Sequence, residues 1–134
     1  MSKVERITRP HMKGLIAPYG LSEAVRHGQM LTLAGQTGMD ENHRIVEGGL
    51  KAQAVQAFRN IREIVEFAGG AIENLIHLTW YVAPTGRTFM EDALDITMAR
   101  NEVLPGIAPG STAVRVQELL TPDILIEIQA VCAL

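Results

Sequence analysis

Hydrophobic residues recur along this chain with two periods, and the switch between them sets the order of elements. From Leu50 to Ala68 the residues Leu50, Ala54, Ala57, Phe58, Ile61, Ile64, Val65 and Ala68 fall on one stripe of a helix, and Gly69-Gly70 supplies the stop. A second helix opens at Thr88-Phe89-Met90-Glu91, which has capping-box spacing. Phe89, Ala93, Ile96, Met98 and Val103 follow, and Pro105-Gly106 closes it. Elsewhere the period is two. The stretch "EAVRHGQMLTLAGQTG" predicts two short strands about His27-Gly28, the second running from Met30 to Gln36. "NLIHLTWYV" sets Ile76, Leu78, Trp80 and Val82 against Leu75, His77, Thr79 and Tyr81, a strand largely covered on both faces, with Trp80 and Tyr81 as packing residues. "APGSTAVRVQELLTPDILIEIQAV" supplies two more strands around a Pro-Asp turn. The order β-β-α-β-α-β-β predicts an α+β sandwich, with two helices covering one face of the sheet.

The other face is less simple. In the strand from Ser111, alternation puts Thr112, Val114 and Val116 on one side and Ser111, Ala113, Arg115 and Gln117 on the other. In the last strand it separates Ile124, Ile126 and Ile128 from Leu125, Glu127, Gln129 and Val131. One side of each strand suits a helix-covered core. The second is semi-polar, the composition of a subunit interface that holds a wet cleft. Glu127 among apolar neighbours needs either a partner or a function, because a lone buried carboxylate is costly. An arginine or backbone amides are the structural alternative to a site role.

Composition narrows the function classes. A chain of 134 residues with 47% hydrophobic content holds one core and is too short for two ordinary domains, so a single domain over 1–134 is expected. The net charge of -3 and the lack of a basic cluster count against nucleic-acid binding. No apolar run is long enough to span a bilayer and the start "MSKVERITRP" has no apolar stretch, so a cytoplasmic protein without membrane contact is expected. Cys132 lies in an apolar run that predicts a buried, inert thiol. His11, His27, His43 and His77 are scattered without metal-ligand spacing, and the glycines of "AGQTG" do not form a nucleotide fingerprint; neither metal nor cofactor is expected. "GGLKAQAV" places glycines before a helix, an arrangement used for anions but more often for loop entry.

Four segments in succession, "LSEAVRHGQMLTLAGQTGMD", "QAVQAFRNIREIVEFAGG", "HLTWYV" and "STAVRVQELLTPDILIEIQAV", resemble the signatures of the Rid (YjgF) family of reactive intermediate deaminases. The resemblance covers Leu21 to Val131 and implies a chorismate-mutase-like sandwich. It further implies a homotrimer whose sheets pack into a central barrel, with small-molecule clefts between subunits and Glu127 positioning the water that hydrolyses an imine. The same carry-over places Ser111 where deaminase members have a carboxylate-clamping arginine, Ala113 at a family cysteine, Ala34 at a serine before Gly35-Gln36, and Ala93 at a cleft asparagine. The family tyrosine maps to Leu21, with Tyr19 nearby as an alternative whose competing role is packing in its loop. Thr112 joins Ser111 and Ala113 in the expected pocket wall. Arg115, on the same strand face as Ser111, could stand in for the clamp, although an ordinary ion pair is the simpler reading. Three functions remain open: hydrolysis of a small imine, enamine or related metabolite; ligand binding without turnover; and, less favoured, a ribonuclease or translation-inhibitor role.

Overall fold

The computed structural model describes residues 3–134; Met1 and Ser2, included in the expected 1–134 domain, lie outside the described residues. A six-stranded sheet carries the architecture. Its strands are β1 (Val4–Ile7), β2 (Ala24–His27), β3 (Met30–Leu33), β4 (Leu75–Val82), β5 (Gly110–Arg115) and β6 (Ile126–Ala133), in the spatial order β1-β2-β3-β6-β4-β5. Neighbours are antiparallel except β4 and β5, which run parallel because helix α3 (Phe89–Val103) crosses between them. Helix α2 (Gly49–Phe67) packs on the face that carries Leu31, Leu33, Leu78, Val82, Ile126 and Ile128. The expected α+β sandwich is the observed fold.

Helix α2 follows its apolar stripe closely. Leu50, Ala54, Ala57, Phe58, Ile61, Ile64 and Val65 are buried, and burying a side chain such as Phe58 stabilises by roughly 1.5 to 3 kcal/mol. The helix ends in a Schellman motif: Gly70 N–H donates to the Val65 carbonyl at 2.9 Å and Gly69 N–H to that of Glu66 at 3.0 Å, with Gly69 at φ 83°. Two buried amides on the same stripe tie loops to the helix. Gln53 donates to the Asp123 carbonyl and accepts from Leu125 N–H, while Asn60 donates to the carbonyls of Thr37 and Met39. At the start of α3, Thr88 Oγ1 accepts from Glu91 N–H at 3.2 Å, the cap that the spacing predicts.

The structure departs from the sequence reading in five places. Strand β1 and helix α1 (Pro10–Ile16), of four and seven residues, precede the predicted elements and were not assigned from the sequence. Strand β3 stops at Leu33 rather than Gln36. Its pairing passes from Thr32↔Val131 to the isolated bridge Gln36↔Ile128, leaving one extra residue at Ala34-Gly35, a bulge. A second irregularity, between Leu75 and His77, turns Leu75 into the core and leaves Ile76 44% exposed, reversing their expected faces. In α3, Ile96 and Val103 are buried as expected, but Met98 is 55% exposed in line with Met90 and Leu94 on the outer side. Finally, β5 is an edge strand whose Ser111, Ala113 and Arg115 share the face of Leu78, Trp80 and Val82. Its more apolar set, Thr112 and Val114, therefore shares the open face with Thr79 and Tyr81.

Candidate functional site on the open face of the sheet

Alternation along β6 decides which side chains meet. Ile126, Ile128, Ala130 and Cys132 are buried beneath the helices, and Glu127, Gln129 and Val131 turn to the open face. Cys132 is a free, fully buried thiol whose pKa burial raises, which suits the inert role expected of it. Glu127 stands directly opposite Tyr81, which in turn pairs with Val114. The next row holds Gln129, Thr79 and Thr112, with Thr112 Oγ1 3.4 Å from His77 Nε2. Trp80 packs in the core as predicted, while its neighbour Tyr81 is half-buried beside the carboxylate.

The bulge in β3 gives Glu127 its room. A Cβ placed on Gly35 would lie 2.7 Å from both Cγ and Cδ of Glu127, so a side chain there would displace the carboxylate. Ala34 and Gly35 are exposed, and the segment is held on both sides. Ala34 N–H donates to the Glu23 carbonyl at 2.8 Å, and Gln36 and Ile128 exchange two backbone hydrogen bonds at 2.8 Å. Glu127 itself enters no ion pair among the described residues. Desolvation by burial raises its pKa above the ordinary value of 4.5, and neither a charge nor a hydrogen bond offsets it. Among the described residues it therefore has neither the arginine nor the amide partner of the structural alternative.

The other expected site residues are not gathered around it. Ser111 and Ala113 are exposed on the opposite side of the edge strand. Ala93 is partly buried against the core. Tyr19 ends a 3-10 turn, Ala17–Tyr19, and is 78% exposed, so it is not consumed by packing in its loop. Arg115 has a full set of partners: Asp92 Oδ2 at 2.8 Å, the Ala83 carbonyl at 2.9 Å, the Arg87 carbonyl at 3.4 Å, and the Phe89 ring with its centroid 5.0 Å away. Within one chain, then, Glu127, Gly35 and Thr112 share one surface, while Ser111, Ala113 and Arg115 belong to another.

Two polar clusters escaped the sequence reading. Asp92 is fully buried at the start of α3. Arg9, just before α1, donates to buried Glu23 through its backbone N–H, Nε and Nη2 at 2.8 to 3.0 Å, and through Nη1 to Glu63 on α2. The Asp92 signal was available: an acidic residue in a capped first turn with an arginine on the neighbouring strand. Arg9 and Glu23 gave none, being fourteen residues apart on either side of the unrecognised helix α1. Among the described residues no group of His, Cys, Asp and Glu side chains is placed to hold a metal ion.

The uncovered face of this bulged α+β sheet thus carries an acid with no ionic partner among the described residues. Comparison with known proteins makes this specific. The family model described as Endoribonuclease L-PSP matches residues 13–134, and the chain belongs to this family, also called YjgF, RutC or Rid. A RutC family protein of Pyrococcus horikoshii is 34% identical over 117 residues, covering 87% of this chain and 86% of the relative. A human 2-iminobutanoate/2-iminopropanoate deaminase is 37% identical over 71 residues, 52% of this chain and 50% of that protein. The crystal structure of a Pseudomonas aeruginosa protein of unknown function superimposes with a TM-score of 0.82 at 30% identity, covering 100% of this chain and 94% of the other.

Proposed function

We propose that this chain hydrolyses a small reactive imine, enamine or related metabolite by water activation at Glu127. The reaction would take place in a cleft completed by a neighbouring subunit of a homotrimer, in a single-domain, cytoplasmic, cofactor-free protein. The observation that carries this reading is the half-buried Glu127, unpaired, seated against Gly35 and raised in pKa by desolvation alone. Its carboxylate would take a proton from water as the oxygen attacks the imine carbon. The proton then passes to nitrogen, and the carbinolamine collapses to a carbonyl compound and ammonia. Because Ser111 and Ala113 lie on the other side of β5, a cleft that combines them with Glu127 must draw them from a second copy; Ala34, Ala93, Thr112 and Tyr19 are its further candidate wall residues. Light scattering should report a trimer, and a monomer would remove the cleft.

A standard 2-imino acid deaminase activity is not part of the proposal. Ser111 stands where the clamping arginine would be, and Arg115 is committed to Asp92. Loss of a bidentate, charge-assisted contact costs about 1.5 to 3 kcal/mol of binding. 2-Imino acids generated by an amino-acid oxidase and trapped with semicarbazide should decay at or near the uncatalysed rate with the protein present, whereas imines without a carboxylate should be accelerated in a Glu127-dependent way. Rapid 2-imino acid turnover would show that another residue serves as clamp. The alanines and serine at the expected site positions also favour a second reading, a metabolite-binding protein without turnover, which saturable binding without product would identify. The net charge of -3 counts against a ribonuclease role.

A further inference from the structure

Asp92 has one oxygen that accepts no hydrogen bond from the described residues. The residue is fully buried; its Oδ2 accepts from Thr85 Oγ1 at 2.6 Å and from Arg115 Nη1 at 2.8 Å. Its Oδ1 has no hydrogen-bond partner, and Arg87 Nη1, at 3.8 Å, is beyond hydrogen-bond reach. A buried acceptor left in this way is costly unless something supplies a donor. Asp92 borders a cavity of about 430 Å³ whose wall also includes Asp95, Arg87, Pro84, Leu125 and the first turn of α2 at Gly48–Lys51.

That first turn is a site of opposite character. Helix α2 has 19 residues, no side-chain cap and no acidic residue in its first turn. It is entered through Gly48 and Gly49 at φ 113° and 80°. Its leading amides therefore have no side-chain cap, and Lys51 adds a cation at the positive end of the dipole, with Glu47, just before Gly48, the nearest acid in sequence. The cavity thus joins a donor-rich, positive region to the carboxylates of Asp92 and Asp95, with Leu50, Pro84 and Leu125 as apolar wall.

We propose that this cavity binds a small zwitterion, an α-amino acid with an aliphatic side chain. The carboxylate meets the α2 amides and Lys51, and the ammonium donates to Asp92 Oδ1 and Asp95. A simple anion would face the two carboxylates, and a simple amine would leave the α2 terminus unanswered. Arg87 lies where the ammonium would sit. It is shared between Asp95 at 2.5 Å and Glu91 at 3.4 Å and is itself exposed, so it can turn outward to Glu91 as the ligand enters. The site shares no residue with the Glu127 surface, and its fate is independent of the catalytic reading.

The experiment is a titration of isotopically labelled protein with L-leucine, followed at the Gly48 and Gly49 amides. The comparison ligands are 4-methylpentanoate, which lacks the ammonium, and 3-methylbutylamine, which lacks the carboxylate. Leucine should give saturable shifts, and each analogue should bind at least about tenfold more weakly for the loss of a charge-assisted contact. Lys51→Glu should weaken leucine binding roughly fivefold. Arg87→Ala should tighten it, since the competing cation is gone. Absence of saturable shifts, equal binding of either analogue, or weaker binding by Arg87→Ala would overturn the proposal.

Discussion

Two carboxylates in this protein live in contrasting surroundings. Asp92, under α3, is fully buried and anchors Thr85 and Arg115; Glu127, on the uncovered sheet face, is half-buried and has no ionic partner. The first ties together the end of β4, the edge strand and the helix between them. The second does no such work, and its desolvation is uncompensated in the free chain. A buried acid with partners marks a joint in the structure; one without an ionic partner is the observation on which the proposed function rests.

The contrast can be broken most severely at the joint. Asp92→Ala should cost about 3 kcal/mol in denaturant unfolding, the lower end for a severed buried pair because Arg115 keeps some exposure and its two carbonyl contacts. Gly35→Ala should be smaller, about 1 kcal/mol, since the new Cβ meets a side chain that can swing aside. It should nevertheless abolish turnover or ligand binding by displacing the carboxylate. Combining it with Glu127→Ala should erase the stability penalty, a coupling that a double-mutant cycle reads directly.

Glu127→Gln should have the smallest effect on stability and the opposite sign. The folded-state pKa of Glu127 is raised, so its stabilising contribution is full below the ordinary value of 4.5 and is lost as pH rises through the folded value. The glutamine variant should therefore melt at or above the parent temperature at neutral pH, with the advantage disappearing in acid. A markedly lower melting temperature at neutral pH would mean that the carboxylate has a structural partner after all.

How far these features could be read from the sequence follows from how many turns or residues enforced each pattern. Helix α2 repeats its stripe over nineteen residues, and every predicted core position from Leu50 to Val65 is buried. The face of Glu127 was legible because isoleucines flank it in strict alternation; its lack of an ionic partner was not, since the sequence left a partner and a function both open. Strand β5 was misleading: at the sheet edge Ser111 and Ala113 remain exposed even on the helix side, so polarity there does not report the face. The bulges near Gly35 and Ile76 each shift parity by one residue, a change that hydropathy alone does not announce. Asp92 was legible only in part: its place in a capped first turn was a signal, but its pairing with Arg115 joins residues brought together by the crossover through α3.

Strand β6 comes last in the chain but lies between β3 and β4. The hairpin half, β1 to β3, and the crossover half, β4 to β5, have no backbone pairing to each other without it. A continuous sheet therefore cannot close until β6 has joined, and until then both halves carry unpaired strand edges. Glu127 rides on that closing strand, so its carboxylate takes its place on the open face only in molecules whose sheet is already complete.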